Sequence, residues 1–237
     1  MKPTWIMYVA AYVQLLPPVV GALAHRLTSP ARRWVVVWCL MLALQDAVSR
    51  LVTLLRGENL FVAYIFLPIT GAIALWVLSL WQSGPTSRLA MRLAIPGFVA
   101  VSVGLSLLAD DPHSFSLVTA PFYAVVMLIA SSWTFVRRSL GGDGTLLEQD
   151  WFWMVGGIML YFGAFTAMQP LVSYFLASGR NDLILAAFNV RSAMTLLAFV
   201  AITGGMLCPV RPTYSGGLFS PPSSPSPSWS PPWARRW

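Results

Sequence analysis

Seven long apolar runs follow one another along the chain, parted by short polar stretches that hold most of its arginines. The runs lie at 5–24, 34–55, 60–81, 93–109, 116–136, 151–177 and 183–208. An α-helix needs about 20 mostly apolar residues, within a range of about 17–25, to cross a bilayer's hydrocarbon. The fourth run just reaches that length, whereas the sixth and seventh have room to tilt or to project beyond it. The pattern predicts an all-α, polytopic integral membrane protein, a seven-transmembrane-helix bundle within residues 1–209. From residue 210 the pattern stops. Pro, Ser and Gly dominate 210–237, which is expected to be a disordered or polyproline-like tail. Its run Pro221-Pro222-Ser223-Ser224-Pro225 serves either as a docking site for a proline-reading partner or as a passive tail, and Arg235 and Arg236 suit anionic lipid.

Composition removes the soluble alternative. Hydrophobic residues make up 57% of the 237-residue chain and charged residues 10%, against about 25% charged in soluble domains. The first run reads as a helix of the mature protein rather than a signal peptide. It carries Gln14, Pro17 and Pro18, and His25 and Arg26 follow it where small cleavage-site residues would stand.

The net charge of +7 is almost all arginine, Lys2 being the one lysine. No basic cluster is interleaved with aromatics in a soluble segment, so nucleic acid is not expected as a partner. The arginines instead give orientation. Ten basic residues (Arg26, Arg32, Arg33, Arg88, Arg92, Arg137, Arg138, Arg211, Arg235 and Arg236) fall on one side of a seven-span bundle, against Lys2, Arg56 and Arg180 on the other. The positive-inside rule places the ten in the cytoplasm, with the N-terminus outside and the C-terminus inside. Trp34, Trp81, Trp133, Trp151 and Trp153 near the inner helix ends, and Trp5 near the outer one, are read as interfacial anchors. The inner stretch 137–150 holds Gly141, Gly142 and Gly144 but no Gly-Lys-Ser/Thr ending, so it is a turn and not a phosphate loop. Glu148 and Asp150 at its end, just before the sixth run, suit a helix N-terminus. Two small-xxx-small pairs, Ala100/Gly104 and Gly163/Ala167, predict close helix contacts.

The polar residues inside the runs carry the chemistry. Gln14 stands in the first run, Gln45, Asp46 and Arg50 in the second, Gln169 in the sixth, and Asn189 and Arg191 in the seventh. At 1.5 Å per residue, Gln14, Asp46, Gln169 and Arg191 all come about 12–14 Å below the outer helix ends. Such groups are expensive in hydrocarbon and turn toward the bundle interior. Asp46 and Arg191 are expected to pair, while Arg50, one turn nearer the surface, pairs with Asp46 or snorkels outward. Two arginines against one carboxylate leave room for a small anionic ligand. A purely structural ion pair and a proton relay are the alternatives. Pro17-Pro18, Pro68, Pro121 and Pro170 free backbone carbonyls near the same level, which favours a cavity.

No catalytic constellation accompanies this layer. The seventh run has no lysine for a retinal Schiff base. His25 and His113 fall on opposite sides, and Asp46 has no second intramembrane carboxylate. Cys39 and Cys208 lack metal or disulfide spacing and read as small apolar residues. No cofactor or metal is expected.

The words Asn59-Leu60-Phe61-Val62-Ala63-Tyr64-Ile65 with Pro68, and Asp150-Trp151-Phe152-Trp153 with Gly157, Tyr161, Phe162 and then Asn189, resemble a loosely defined group of uncharacterised bacterial seven-helix proteins. Similar membrane modules precede histidine kinases or other signalling domains. The resemblance implies a sensory or scaffold role. This chain departs from that pattern, since the residues after the seventh run look like neither a catalytic nor a receiver domain. A signal is therefore expected to pass to a separate cytoplasmic or membrane protein partner. The expected protein is a non-enzymatic, receptor-like or accessory module of a bacterial inner membrane. Its site would be Gln14, Asp46, Arg50, Gln169, Asn189 and Arg191, open to the outside. A small-solute transporter or channel, and a structural subunit of a membrane complex, stay open as alternatives.

Orientation is checked by cysteine labelling, with Cys39 and Cys208 replaced by serine. Arg56→Cys is expected to react with an impermeant maleimide in intact cells, and Arg88→Cys after permeabilisation alone. The opposite pattern inverts the topology.

Overall fold

The computed structural model of the protein describes residues 4–25, 27, 29–57, 59–110, 116–140 and 145–209, with backbone alone at 177, 181 and 182. Lys2, Arg26, His113, the glycines 141, 142 and 144, and the whole 210–237 tail lie outside the described residues. The described residues form helices α1 (Trp5–Val13), α2 (Leu16–Leu23), α3 (Pro30–Arg56), α4 (Leu60–Leu80), α5 (Pro85–Leu108), α6 (Thr119–Leu140), α7 (Asp150–Ala177) and α8 (Asn181–Leu207). No strand occurs among them.

Six of these helices are individually long and apolar enough to cross a membrane, and α1 and α2 make a seventh span if the bent pair counts as one. The chain is thus a multi-pass membrane protein by its helices. Its outward surface agrees, with Leu54, Leu108 and Leu140 each more than four-fifths exposed. The 43° bend between α1 and α2 has a local cause. Pro17 and Pro18 have no N–H to give to the carbonyls of Val13 and Gln14, so the hydrogen-bond ladder is interrupted there. The Leu15 N–H bonds instead to the Tyr12 carbonyl at 3.0 Å.

Two helices begin earlier than hydropathy predicts. α3 starts at Pro30 rather than 34, because Ser29 caps it by accepting from the Arg32 N–H at 3.2 Å and proline suits the first helical position. α5 likewise starts at Pro85 rather than 93 and is far from the shortest span. Caps set helix ends, whereas hydropathy marks where apolar side chains begin. α3 stops at Gly57, whose φ of 79° is the left-handed conformation a helix terminus favours, and whose N–H bonds to the Thr53 carbonyl.

The closest helix pair is α7 against α8. A Cβ at Gly157 would meet the Ala198 carbonyl oxygen at 2.6 Å, and one at Gly205 would meet the Asp150 carbonyl oxygen at 2.9 Å. The small-residue pairs expected to do this do not. Gly104 has no neighbour within 4 Å of a built Cβ, and Gly163 makes only ordinary contact with Leu128. The spacing motif marks small residues but not the helix face that the rest of the bundle presses on.

An aromatic layer fills the middle. Trp38 of α3 stacks on Phe199 of α8 with centroids 6.0 Å apart and meets Tyr161 of α7 edge-on at 5.8 Å. Tyr123 of α6 meets Phe162 of α7 at 5.2 Å. Two tryptophans read as anchors are interior instead. Trp81 and Trp151 are buried, while Trp5, Trp34 and Trp133 stay exposed. Trp151 packs on Phe135 and donates its indole N–H to Gln149.

At the arginine-rich end, Arg32 does more than signal topology. Its side chain is fully buried, and its Nε donates to Asp150 at 3.0 Å. Its Nη atoms donate to the carbonyls of Met206 at 3.3 Å and Cys208 at 2.7 Å. One guanidinium thus ties the start of α3 to the start of α7 and the end of α8. Asp150→Ala, which leaves this buried cation without its carboxylate, is expected to lower stability by about 3 kcal/mol, whereas Arg32→Met with Asp150→Leu recovers most of that loss. Denaturant unfolding in micelles, followed by tryptophan fluorescence, measures both.

Candidate functional site

The opposite end of the bundle, where α3 turns into α4, encloses a cavity of about 350 Å³. Each wall is a helical stripe. α1 contributes Met7, Ala10, Ala11 and Gln14, spaced i, i+3, i+4 and i+7. α3 contributes Leu42, Gln45 and Asp46, and α4 contributes Leu60, Ala63, Tyr64 and Leu67. α7 adds Tyr161, Phe165 and Gln169, and α8 adds Phe188, Arg191, Ser192 and Thr195. Ser116, Ala120 and Tyr123 close the α6 side.

The bend at Gln14 sets one polar wall. With the ladder broken after α1, the Gln14 amide turns inward and is buried. Its Nε2 donates to the Ala11 carbonyl at 2.9 Å and to Asp46 Oδ2 at 2.8 Å. Asp46 thereby spends one carboxylate oxygen on an amide. Arg191, from the opposing α8, lies over the Phe165 ring, 4.2 Å from its centroid.

Four of the six residues singled out from sequence, Gln14, Asp46, Gln169 and Arg191, therefore line one cavity, and Gln45 joins them. Arg50 and Asn189 are outside its lining. Arg50 points outward, donating to the Tyr12 hydroxyl at 3.1 Å with its guanidinium 5.1 Å from that ring's centroid. Asn189 accepts from the Thr4 hydroxyl near the start of α1. The expected Asp46–Arg191 ion pair is not made among the described residues. Asp46 feels the charge of both Arg50 and Arg191 without contact, and its bonded partner is Gln14. The physical reason is that each group is taken up on its own wall, Asp46 by the Gln14 amide and Arg191 by the Phe165 ring. The count of two arginines to one carboxylate becomes one to one.

Asp110 and Ser116 were not singled out from sequence, yet they build the α6 wall. The Asp110 carboxylate accepts from the N–H groups of Leu117, Val118 and Thr119 at 3.1, 3.2 and 2.8 Å and from Ser116 Oγ at 2.8 Å. It acts as a cap reached from across the loop. Ser116, so held, offers its carbonyl to the Gln169 amide at 3.1 Å, and this fixes Gln169 in the lining. Spacing along the chain would not reveal that link. The tyrosines were findable, since Tyr161 and Tyr64 fall on helical stripes with Gln169 and Pro68.

On the arginine-rich side of the cavity stands the aromatic layer of Trp38, Phe162 and Phe199, all fully buried. Among the described residues no three His, Cys, Asp or Glu side chains converge as a metal site would require. What the arrangement offers is binding, through one carboxylate, one guanidinium and three amides set among aromatic rings. The chain matches no family model, no curated protein and no solved structure.

Burial by itself would raise the Asp110 carboxyl, but hydrogen bonds from Thr119, Ser116 and Val118 outweigh it and hold the group below the usual carboxylate range. A depressed pKa contributes stability above the unfolded value, and that stability is lost as pH falls through the folded one. Asp110→Ala is therefore expected to lower the melting temperature at pH 7, with the gap to wild type closing below about pH 4. Melting curves of both proteins from pH 7 to pH 3 give the comparison.

Proposed function

We propose that the chain is a non-enzymatic, receptor-like or accessory module of a bacterial inner membrane. Its cavity takes up a small molecule bearing an anionic group, which Arg191 holds. The observation that carries this reading is the open state of the polar layer, in which Asp46 and Arg191 face one cavity without neutralising each other. A layer that served structure alone would gain by closing that gap, because each lone charge in hydrocarbon costs at least about 2.5–3.5 kcal/mol.

The positive-inside rule sets the cavity on the outer side, where a ligand would arrive. The aromatic layer behind it weighs against a through-path and so against a transporter or channel. A bound ligand acts by its different affinity for alternative packings of the helices. A protein partner reads that change at the arginine-rich end.

The test is thermal unfolding of the purified protein in lipid nanodiscs against a library of small carboxylates and phosphates. At least one compound is expected to raise the wild-type melting temperature and to leave Arg191→Gln unmoved, with background flux in proteoliposomes. Flux above background would favour the transporter. No shift with any compound, together with Asp46→Ala and Arg191→Ala that destabilise singly and recover as a pair, would make the layer structural and favour a complex subunit.

A further inference from the structure

Each charge in the cavity has a free side, and the two free sides differ in sign. Gln14 occupies Asp46 Oδ2. Asp46 Oδ1 has no hydrogen-bond donor among the described residues, yet it is not sealed away as a buried unpaired atom. The guanidinium of Arg191 has the Phe165 ring on one face and the Tyr161 hydroxyl beside it, and makes no ion pair among the described residues. The two groups stand on opposing helices and sense one another's charge without touching. Gln14 and Gln169, both buried, add neutral amides beside them.

A simple anion answers half of this arrangement. It would satisfy Arg191 while bringing a second negative charge toward Asp46, which is unfavourable at low dielectric. A simple cation meets the converse penalty at Arg191. A molecule carrying both signs a few bonds apart satisfies both walls at once and brings no net charge into the membrane.

We infer that the cavity is a site for a small zwitterion of the amino-acid type, its ammonium on Asp46 and its carboxylate on Arg191. This rests on the binding role proposed above. The remaining walls indicate what the rest of the molecule is. Tyr64, Phe165 and Phe188 line the same space and favour an apolar or aromatic side chain. The volume of about 350 Å³ is near the small end of the range of about 300–1,000 Å³ for small-molecule sites, which fits a single amino acid and not a peptide.

Matched compounds separate this inference from the reading beneath it. Nanodisc-embedded protein is titrated by calorimetry with phenylalanine, 3-phenylpropanoate and phenethylamine, and with leucine, 4-methylpentanoate and isopentylamine. The other proteinogenic amino acids are screened by thermal shift. A zwitterion is expected to bind at least about tenfold more tightly than its matched acid and amine, as the loss of one charge-assisted hydrogen bond implies. The near-isosteric Asp46→Asn is expected to erase that advantage while leaving the acid's affinity unchanged or improved. Binding of the acids as tightly as of the zwitterions by wild type, with no variant needed, would overturn the zwitterion and keep the anion site. Absence of binding by every amino acid and acid would overturn both.

Discussion

Hydrocarbon does not solvate charge, and every ionised group within the bundle must be answered by the protein itself or by something it binds. The two ends of this molecule meet that constraint in different ways. Arg32 is fully buried and is answered three times, by the Asp150 carboxylate and by the carbonyls of Met206 and Cys208. Arg191 lies at a cavity wall with the face of Phe165 against it, and Asp46 across the space is held by an amide. A ring face attracts a cation by about 0.5–2 kcal/mol, well short of what a buried carboxylate gives. The Arg32 charge is answered by a carboxylate and two carbonyls, whereas Asp46 and Arg191 are not paired with each other. That difference, more than the presence of polar residues as such, separates a structural clasp from a site.

Three helix breaks fall beside the cavity walls. Pro17 and Pro18 interrupt the first span next to Gln14, and Pro170 follows Gln169 directly. Pro68 sits beside Leu67 of the α4 wall, whereas Pro121 falls in the first turn of α6, where no ladder donor is lost, and Pro96 interrupts α5, which contributes nothing to the cavity lining. Proline removes a ladder donor and crowds the preceding turn, so helices bend where it occurs and cannot pack as straight rods. Where α7 meets α8 deeper in the bundle, glycines allow backbone contact instead. Glycine thus allows close backbone contact between α7 and α8, and proline interrupts three of the spans that wall the cavity.

Much of this was legible in the sequence, and the failures have identifiable physics. Length and hydropathy placed the apolar helices because hydrocarbon thickness sets a length scale that local sequence must meet. Depth arithmetic gathered Gln14, Asp46, Gln169 and Arg191 into one layer because helical rise is constant. It could not decide rotation about each axis, so Asn189 was grouped with Arg191 although the two are only two positions apart and face different surroundings. Of the two alternatives open for Arg50, pairing with Asp46 or snorkelling outward, the structure shows the outward one, with Tyr12 as its partner. Arg32 was hidden by its own class, because an arginine in a short inner loop is so good a topology signal that a second role is invisible without its partner 118 residues away. Trp81 and Trp151 were misplaced because an indole at a helix end faces lipid or interior according to neighbours that sequence does not name.

One helix meets the α7–α8 pair at three levels. At the cavity end, Asp46 of α3 looks across the cavity toward Arg191 of α8. In the middle, Trp38 of α3 stacks between Tyr161, Phe162 and Phe199. At the arginine-rich end, Arg32 of α3 grips Asp150, Met206 and Cys208. The α7–α8 contact, with backbone against Gly157 and Gly205, makes that pair the stiffer body. A ligand bridging Asp46 and Arg191 would draw α3 toward it at one end. The packed indole resists compression, since interiors of this density do not deform continuously. The indole and the Arg32 clasp thus fix α3 to the α7–α8 pair at two of the three levels. At the clasp one guanidinium joins the start of α3 to the start of α7 through Asp150 and to the end of α8 through the carbonyls of Met206 and Cys208. On the binding role proposed above, a ligand bridging Asp46 and Arg191 would join α3 to α8 at the one level of the three where no direct contact between them already does so.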